Sequence, residues 1–395
     1  MKAGWEVKKL GEVCGYFNGV AHEHCIDENG KYKLINSKFI SSDGLNFKSS
    51  SLGLFLLKRG DITMCLSDVP NGKTLAKCFL VDKDETYTLN QRICVVRSTR
   101  MLEKFLYYQL NRNQHLLNFD NGENQTNLRL NQVLECPLYL PPISEQQRIV
   151  AILDQAFEGI AKARANAQQN LQNARALFES HLQSVFTQRG KGWMKNKLDS
   201  LTTKIGSGAT PRGGEESYKA EGISLVRSMN VHDFGFKYAK LAFLDDAQAK
   251  ELSNVELKPN DVLLNITGAS VARCCIVPED VLPARVNQHV SIIRPVSDKL
   301  DSSFLHYLLL SKPYKDKLLQ TGSEGGSTRQ AITKAQIQEF LIEYPPAIED
   351  QKAIAHKLNE MLKETQRLET LYQRKITLLD ELKKSLLQQA FAGEL

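Results

Sequence analysis

His22, His24 and Cys25 stand within four residues of one another and carry imidazole and thiol donors of the kind that hold zinc. Such a site needs further ligands, and no second cluster follows at suitable spacing, so no metal and no cofactor are expected. Gly206-Ser207-Gly208 begins like a phosphate-cradling loop. It lacks the third glycine and a clear strand-to-helix junction, so it reads as a turn. There is no P-loop, hence no expected ATP site. A methyltransferase would place Asn or Asp before a diproline and an aromatic after it. Pro141-Pro142 and Pro345-Pro346 follow Leu140 and Tyr344 instead. The vicinal Cys274-Cys275 reads as strand packing. The residues that could do chemistry therefore point to binding, and the chain is not expected to be an enzyme.

The elements that would carry a binding surface announce themselves by repetition. PPISEQQRIVAIL from residue 141 and PPAIEDQKAI from residue 345 share a diproline, acids, a glutamine and an apolar run. Trp5 and Trp193 each open a short basic-apolar stretch. Gly60-Asp61-Ile62 is matched by Asn260-Asp261-Val262. Asn90-Gln91-Arg92 and the run to Arg97 are matched by Asn287-Gln288-His289 and the run to Arg294. Phe105-Leu106 answers Phe304-Leu305, and Ser180, Leu182, Gln183 and Phe186 answer Ser385, Leu387, Gln388 and Phe391. The period, about 200 residues, is too long for a solenoid and is the size of a domain, so the chain reads as a tandem duplication. With 395 residues and 42% hydrophobic content it can build two cores. The net charge of +6 permits an acidic partner. No apolar run has the length of a membrane span and no signal-peptide core is present, so a cytoplasmic protein with no membrane partner is expected. Eight cysteines without a CxxC pair fit reduced thiols.

Proline is welcome in a first helical turn, and acids at Glu145, Glu349 and Asp350 suit a helix N-terminus. After the first diproline, Ile149, Leu153, Ala156, Ile160, Ala163, Ala167, Ala174 and Leu177 keep 3–4 spacing, broken at Asn170. After the second, Ile354, Leu358, Met361, Leu368, Tyr372, Leu379, Leu382 and Leu386 do so, interrupted at Thr365 and Lys375. Two long helices, 142–187 and 346–391, are predicted to pair as an antiparallel coiled coil. The order domain, helix, domain, helix then gives a rod with a globular domain at each end and a pseudo-twofold axis. The expected boundaries are a first globular domain 1–141, a helical spacer 142–187, a second globular domain 188–344 and a helical spacer 345–395. The stretch 187–192 is the expected linker.

The globular halves read as α+β. Strand-type runs at Tyr32–Ile35, Ile62–Leu66 and Ile93–Val96, and at Ile223–Val226, Val262–Ile266 and Val290–Ile293, come first. Helical runs at Glu103–Leu110, Leu130–Glu135, Ser302–Leu310 and Thr333–Phe340 come later. The matched residues are mostly apolar, whereas the loops between them diverge. Asp68-Val69-Pro70-Asn71-Gly72-Lys73 stands opposite Gly268-Ala269-Ser270-Val271. A shared frame with different loops suits two related but different ligands.

The WxxxxL openings, the paired NQ motifs and the PPxxEQxxI start of a long helix resemble the specificity subunit of type I restriction-modification systems. Residues 204–211, KIGSGATP, are similar to that family's G-x-TP opening, residues 261–268, DVLLNITG, to its DhLLxxTG strand and turn, and residues 387–395, LQQAFAGEL, to its terminus. The first half departs from the pattern: no TP follows Gly19, and the glycine after Ser67 is missing. The resemblance implies two target-recognition domains that each read one half of a split double-stranded DNA sequence, with the helix pair fixing the distance. It also implies methyltransferase (modification) subunits as partners and motor-nuclease (restriction) subunits joining that complex. The candidate DNA contacts are then basic and amide residues in loops near the matched strands. They are Lys33, Asn36, Lys38, Lys73, Lys77, Asn90, Gln91, Arg92, Gln125 and Arg129 in the first half. In the second they are Arg212, Arg227, Asn230, Ser270, Arg273, Asn287, Gln288, His289, Thr328 and Arg329. Some would touch only phosphates, and the Asn-Gln pairs could equally stabilise turns. The competing expectation is a scaffold whose paired domains grip other proteins.

Overall fold

The computed structural model describes residues 4–190, 192–323 and 331–395. The duplication is visible in the strand pairing. In the first copy a four-stranded antiparallel sheet runs in the order Cys14–Asn18, Ile93–Ser98, Ile62–Cys65, Cys78–Leu80; in the second it runs Thr202–Ser207, Val290–Pro295, Val262–Asn265, Cys274–Ile276. A three-stranded sheet accompanies each: Lys48–Ser50, Tyr32–Ile35 and Tyr87–Leu89, then Ala242–Leu244, Ile223–Val226 and Ala284–Val286. The strands Glu6–Lys9 and Pro137–Leu140 close the first domain, and Met194–Lys197 and Leu341–Tyr344 close the second. All four are only four residues long; EVKK and MKNK are mostly polar and exposed, and their partners PLYL and LIEY bury only alternate residues, which hides them from a search for apolar runs.

The central strands are buried on both faces, so they read as continuous apolar runs. In the first copy Ile62, Met64, Cys94 and Val96 point into one core, and Cys65, Ile93 and Val95 into another. In the second, Val262, Leu264 and Ile293 share a core with Cys274, while Leu263, Val290 and Ile292 share one with Cys275. The two adjacent cysteines thus serve opposite faces of one strand, as a period of two requires. Burial pushes the Cys275 thiol up to about 12.

Two compact units form. One comprises Met1–Ala167 with Arg374–Leu395, and the other Gln168–Gln373. The long helices are Ile143–Thr187 and Ile348–Ala392. Within each unit they run antiparallel. Arg164 pairs with Asp380 at 3.1 Å in the first unit, and Arg175 with Glu369 at 2.5 Å in the second. The seam differs from the expected one in its later turns. Leu177 is 68% exposed and Phe178 is buried in its place; Leu382 is 46% exposed, and Ile376 is buried beside the interruption expected at Lys375. An α-helix drifts by about 20° per heptad relative to a strict 3.5 repeat, so a seam counted from the first turns slips by one position after several heptads.

Each end of each helix has its own lock. Gln146, fully buried, accepts from the Leu102 N–H at 2.9 Å and donates to the Pro141 carbonyl at 2.9 Å. Gln351 accepts from the Asp301 N–H at 2.9 Å and donates to the Lys299 and Pro345 carbonyls. At the far ends, Phe391 packs against Phe105 and Tyr139 in the first unit, and Phe186 against Trp193 and Phe304 in the second. Unit one is thus closed by chain from both ends of the sequence.

Candidate nucleic-acid interface

In each globular domain the strand ends are joined by three backbone hydrogen bonds that are the same in both copies. The Asn90 N–H donates to the Ile35 carbonyl and the Asn287 N–H to the Val226 carbonyl, both at 3.1 Å. Cys65 N–H meets the Lys77 carbonyl as Asn265 N–H meets that of Arg273, and Leu66 N–H meets that of Arg92 as Ile266 N–H meets that of His289. Gly19 and Gly208 run so close to these turns that a Cβ would fall 2.1 Å from the Asn90 oxygen and 1.7 Å from the Val286 oxygen, so only glycine fits. Lys77 and Arg273, and Arg92 and His289, therefore occupy equivalent places on equivalent frames.

The frame is braced by a bidentate ion pair in each copy. Arg97 grips Asp61 at 2.6 and 2.7 Å, and Arg294 grips Asp261 at 2.7 Å through both nitrogens. Each carboxylate also accepts a backbone N–H, from Lys58 or Lys258. Hydrogen bonding to Asp61 raises the Arg97 pKa further. Each pair ties together the two central strands of its sheet, Ile62–Cys65 to Ile93–Ser98 in the first copy and Val262–Asn265 to Val290–Pro295 in the second.

In the second domain the turns surround two adjoining hollows of about 440 and 310 Å³ that share Ser228, Met229 and His289. Ser270 and Arg273 line the first, with Thr267, Gly268 and Ala269; Arg227, Asn287 and Gln288 line the second, with Thr210 and Tyr218. The His289 ring shares a hydrogen bond with the Thr267 hydroxyl at 2.6 Å, and Gln288 accepts from Thr210. Arg227 is half-committed: it pairs with Glu215 at 2.7 Å, donates to the Lys240 carbonyl and lies over the Tyr218 ring. Arg212 is exposed beside this group in sequence. Asn230 does not belong to the surface. It is fully buried, accepting from the Arg227 N–H and donating to the Lys237 carbonyl, so it holds the turn that presents Arg227. Asn287 is likewise buried and accepts from the His289 N–H. Thr328 and Arg329 lie outside the described residues.

In the first domain Lys38, Lys73, Gln91, Arg92, Gln125 and Arg129 are exposed. Asn36 caps the helix Ser37–Ser41 by accepting from the Phe39 N–H, and Asn90 accepts from the Gln91 N–H; both side chains serve the backbone. Gln91 reaches Glu23 at 3.1 Å. Lys33 lies over the Phe47 ring at 4.4 Å. Lys77 is drawn into the fold, paired with Asp43 at 2.8 Å and donating to the Ser41 carbonyl. His22 is buried between the Val20 carbonyl and the Thr88 hydroxyl, a packing role, while His24 is exposed. Thr210, Tyr218, Thr267 and Met229 were missed as site residues, although Thr210 and Thr267 stand inside the two motifs that carried the resemblance. What the two faces offer is a set of donors and acceptors on rigid turns, the equipment for reading an edge by hydrogen bonds.

Comparison with known proteins agrees with this geometry. A family model described as the type I restriction modification DNA specificity domain matches residues 2–170 and again 190–378. The type I restriction enzyme EcoBI specificity subunit of Escherichia coli is 22% identical over 339 residues, spanning 79% of this chain and 70% of that protein. The MjaVIII specificity subunit of Methanocaldococcus jannaschii is 22% identical over 382 residues, 90% of this chain and 86% of the relative. Among solved structures, a chain from a study of complex assembly and conformational transition of the type I R-M system superposes with a TM-score of 0.77 at 21% identity, covering 100% and 99% of the two chains. The HsdS subunit from Thermoanaerobacter tengcongensis gives 0.59 at 20% identity, covering 100% and 98%.

Proposed function

Because this chain belongs to the type I restriction-modification DNA specificity family, we propose that each of its globular domains reads one half of a split duplex sequence and that the paired helices set the distance between the halves. The chain is a specificity subunit with two target-recognition domains. The observation that carries the finer reading is the doubled frame. One set of backbone bonds positions Lys77, Gln91 and Arg92 in the first domain, and the same set positions Arg273, Gln288 and His289 in the second. The same frame with side chains that differ at Lys77 against Arg273 and at Arg92 against His289 fits two half-sites of similar footprint and different bases.

The target-recognition domains are residues 1–141 and 188–344, with the spacers 142–187 and 345–395 between and after them. In the second domain Arg273, Gln288, His289 and Ser270 are the base-facing candidates, and Arg212 and Arg227 serve phosphates or position the others. In the first, Arg92, Gln91, Lys38, Lys73, Gln125 and Arg129 take those roles. The methyl transfer and the cleavage belong to partner subunits, modification and restriction respectively, with which this chain assembles. No helix among the described residues is long and apolar enough to cross a membrane.

The test is a methylation map. The chain is expressed with its methyltransferase subunit in a host free of DNA methylation, and modified bases are located by sequencing. A two-part, asymmetric motif with a fixed gap is the expected result. An assembled complex that modifies nothing would turn the assignment toward a protein-gripping scaffold, and modification without a gap would leave only one domain as a reader.

A further inference from the structure

We propose that Leu45 is a wedge that enters the base stack of duplex DNA at the half-site of the first domain. The inference rests on the reading of that domain as a DNA reader and adds to it a deformation of the ligand. Leu45 is 89% exposed, the most exposed of the large apolar side chains described. A single exposed leucine on an ordinary surface needs no explanation. This one is held out deliberately. Asp43 and Gly44 both adopt left-handed backbone, at φ 51° and 83°, which turns the chain sharply outward. The turn is then locked: Gly44 N–H donates to the Phe39 carbonyl, Leu45 N–H to that of Ser42, and Asn46 N–H to the Ser42 hydroxyl, itself bonded to the Lys38 carbonyl. A floppy tip would lose conformational freedom on burial; this one has little left to lose.

The surroundings suit a polyanion. Phe47, 42% exposed, stands two residues on with Lys33 over its ring. Lys38 and Lys48 are exposed on either side in sequence. The acid within the turn, Asp43, would repel phosphates, and Lys77 neutralises it at 2.8 Å while also holding the Ser41 carbonyl. Lys77 belongs to the same strand-end frame as Asn90 and Arg92, so the turn is tied to the candidate face. Lys77 is thus a positioning residue for the wedge. An apolar side chain flanked by lysines on a rigid turn is the equipment with which proteins unstack a base step and bend a duplex. The second domain puts its own exposed apolar residue, Met229, after the equivalent strand, at the rim shared by its two hollows.

The experiment uses the chain assembled with its methyltransferase subunits and the two-part duplex found by the methylation map. 2-Aminopurine is placed at each step of the half-site that survives replacement of residues 193 to 344. The wild-type complex should raise the fluorescence at one step apart from the methylated base, which the methyltransferase itself turns out of the stack; the absence of such a second step would overturn the wedge. Leu45→Ala should abolish that rise and weaken binding about tenfold, the scale of one apolar anchor at an interface. Leu45→Met, a flexible apolar side chain of similar size, should keep most of both. A Leu45→Ala complex that binds and fluoresces like the wild type overturns the wedge and leaves the DNA-reader assignment standing. A variant that assembles poorly with the methyltransferase, yet binds DNA normally once assembled, also overturns it and assigns Leu45 to a protein contact. A wild-type complex that recognises no two-part sequence removes the reader assignment and the wedge with it.

Discussion

Gln146 and Gln351 explain why the chain repeats its diproline motif. Each ties the first turn of a long helix to the globular domain before it, satisfying backbone groups that burial would otherwise leave unpaired. Gln351→Ala strands the Asp301 N–H and the Pro345 carbonyl, a loss of about 2 kcal/mol for unpaired buried groups. It should lower the urea midpoint of the second unit and leave the first unit's unchanged, and an unchanged midpoint in both would refute the lock. Asp261→Ala should be costlier, about 3 kcal/mol, because it leaves the Arg294 guanidinium, 19% exposed, without its carboxylate. Arg294→Met, removing the charge with its partner's mutation in place, should recover part of that loss; no recovery would mean the cost lay in the Lys258 turn instead. These residues were legible as repeats because both copies need them. Their tasks were not, since a lone Asp or Gln in a sequence gives no hint of what is buried against it. Asn230 shows the converse: its type suits adenine recognition, yet only its burial reveals that it holds a turn.

The two long helices were the most legible elements, because 45 residues of 3–4 spacing fit nothing else. The closing strands, at four residues each and half exposed, were the least legible. Phe178 in place of Leu177 marks the limit of extrapolating a seam: the error is one residue, but it moves a side chain from the core to solvent. The helix ends are where sequence repetition and packing meet. Phe391→Ala should destabilise the first unit by about 2 kcal/mol, less than the cost of deleting a fully buried aromatic because Phe391 is only partly buried, through loss of its contacts with Phe105 and Tyr139. Hydrogen exchange should then rise in residues 102–110 and not in the second unit. If the antiparallel helices are the spacer, inserting one heptad in each, between residues 164 and 175 and between 369 and 380, adds about 10 Å of helix. That equals about three base pairs at 3.4 Å each. The methylation map should show the gap lengthened by about that amount with both half-sites unchanged, and an unchanged gap would exclude the helices as the spacer.

At the scale of the whole molecule, the compact units do not follow chain order. The first is built from Met1–Ala167 and Arg374–Leu395, so none of its residues comes from 193 to 344. The frame of the second domain closes on itself within that same stretch, through the pairing of Met194–Lys197 with Leu341–Tyr344. Cutting at these closing strands therefore removes one sheet system with its loops, leaves the helix residues Phe178, Leu182, Phe186, Ala355 and Leu358 to be covered by the replacement's core, and keeps the Gln146 lock and the Phe391 packing of the first unit in place. The junctions fall where Phe186 meets Trp193 and Phe304, so a replacement must bring an aromatic at both of the latter positions to receive the helix end. A replacement drawn from another member of the family and meeting that condition should fold without redesign. Expressed with the methyltransferase subunit, the hybrid should methylate a motif in which one half is new, the other is unchanged, and the gap is preserved. Both halves changing together would mean that the domains do not read independently, and would send the divergence of their loops back to a different cause. One half changing alone would locate the boundary of a reading module at residues 193 and 344, which is a statement about the closing strands as much as about the DNA.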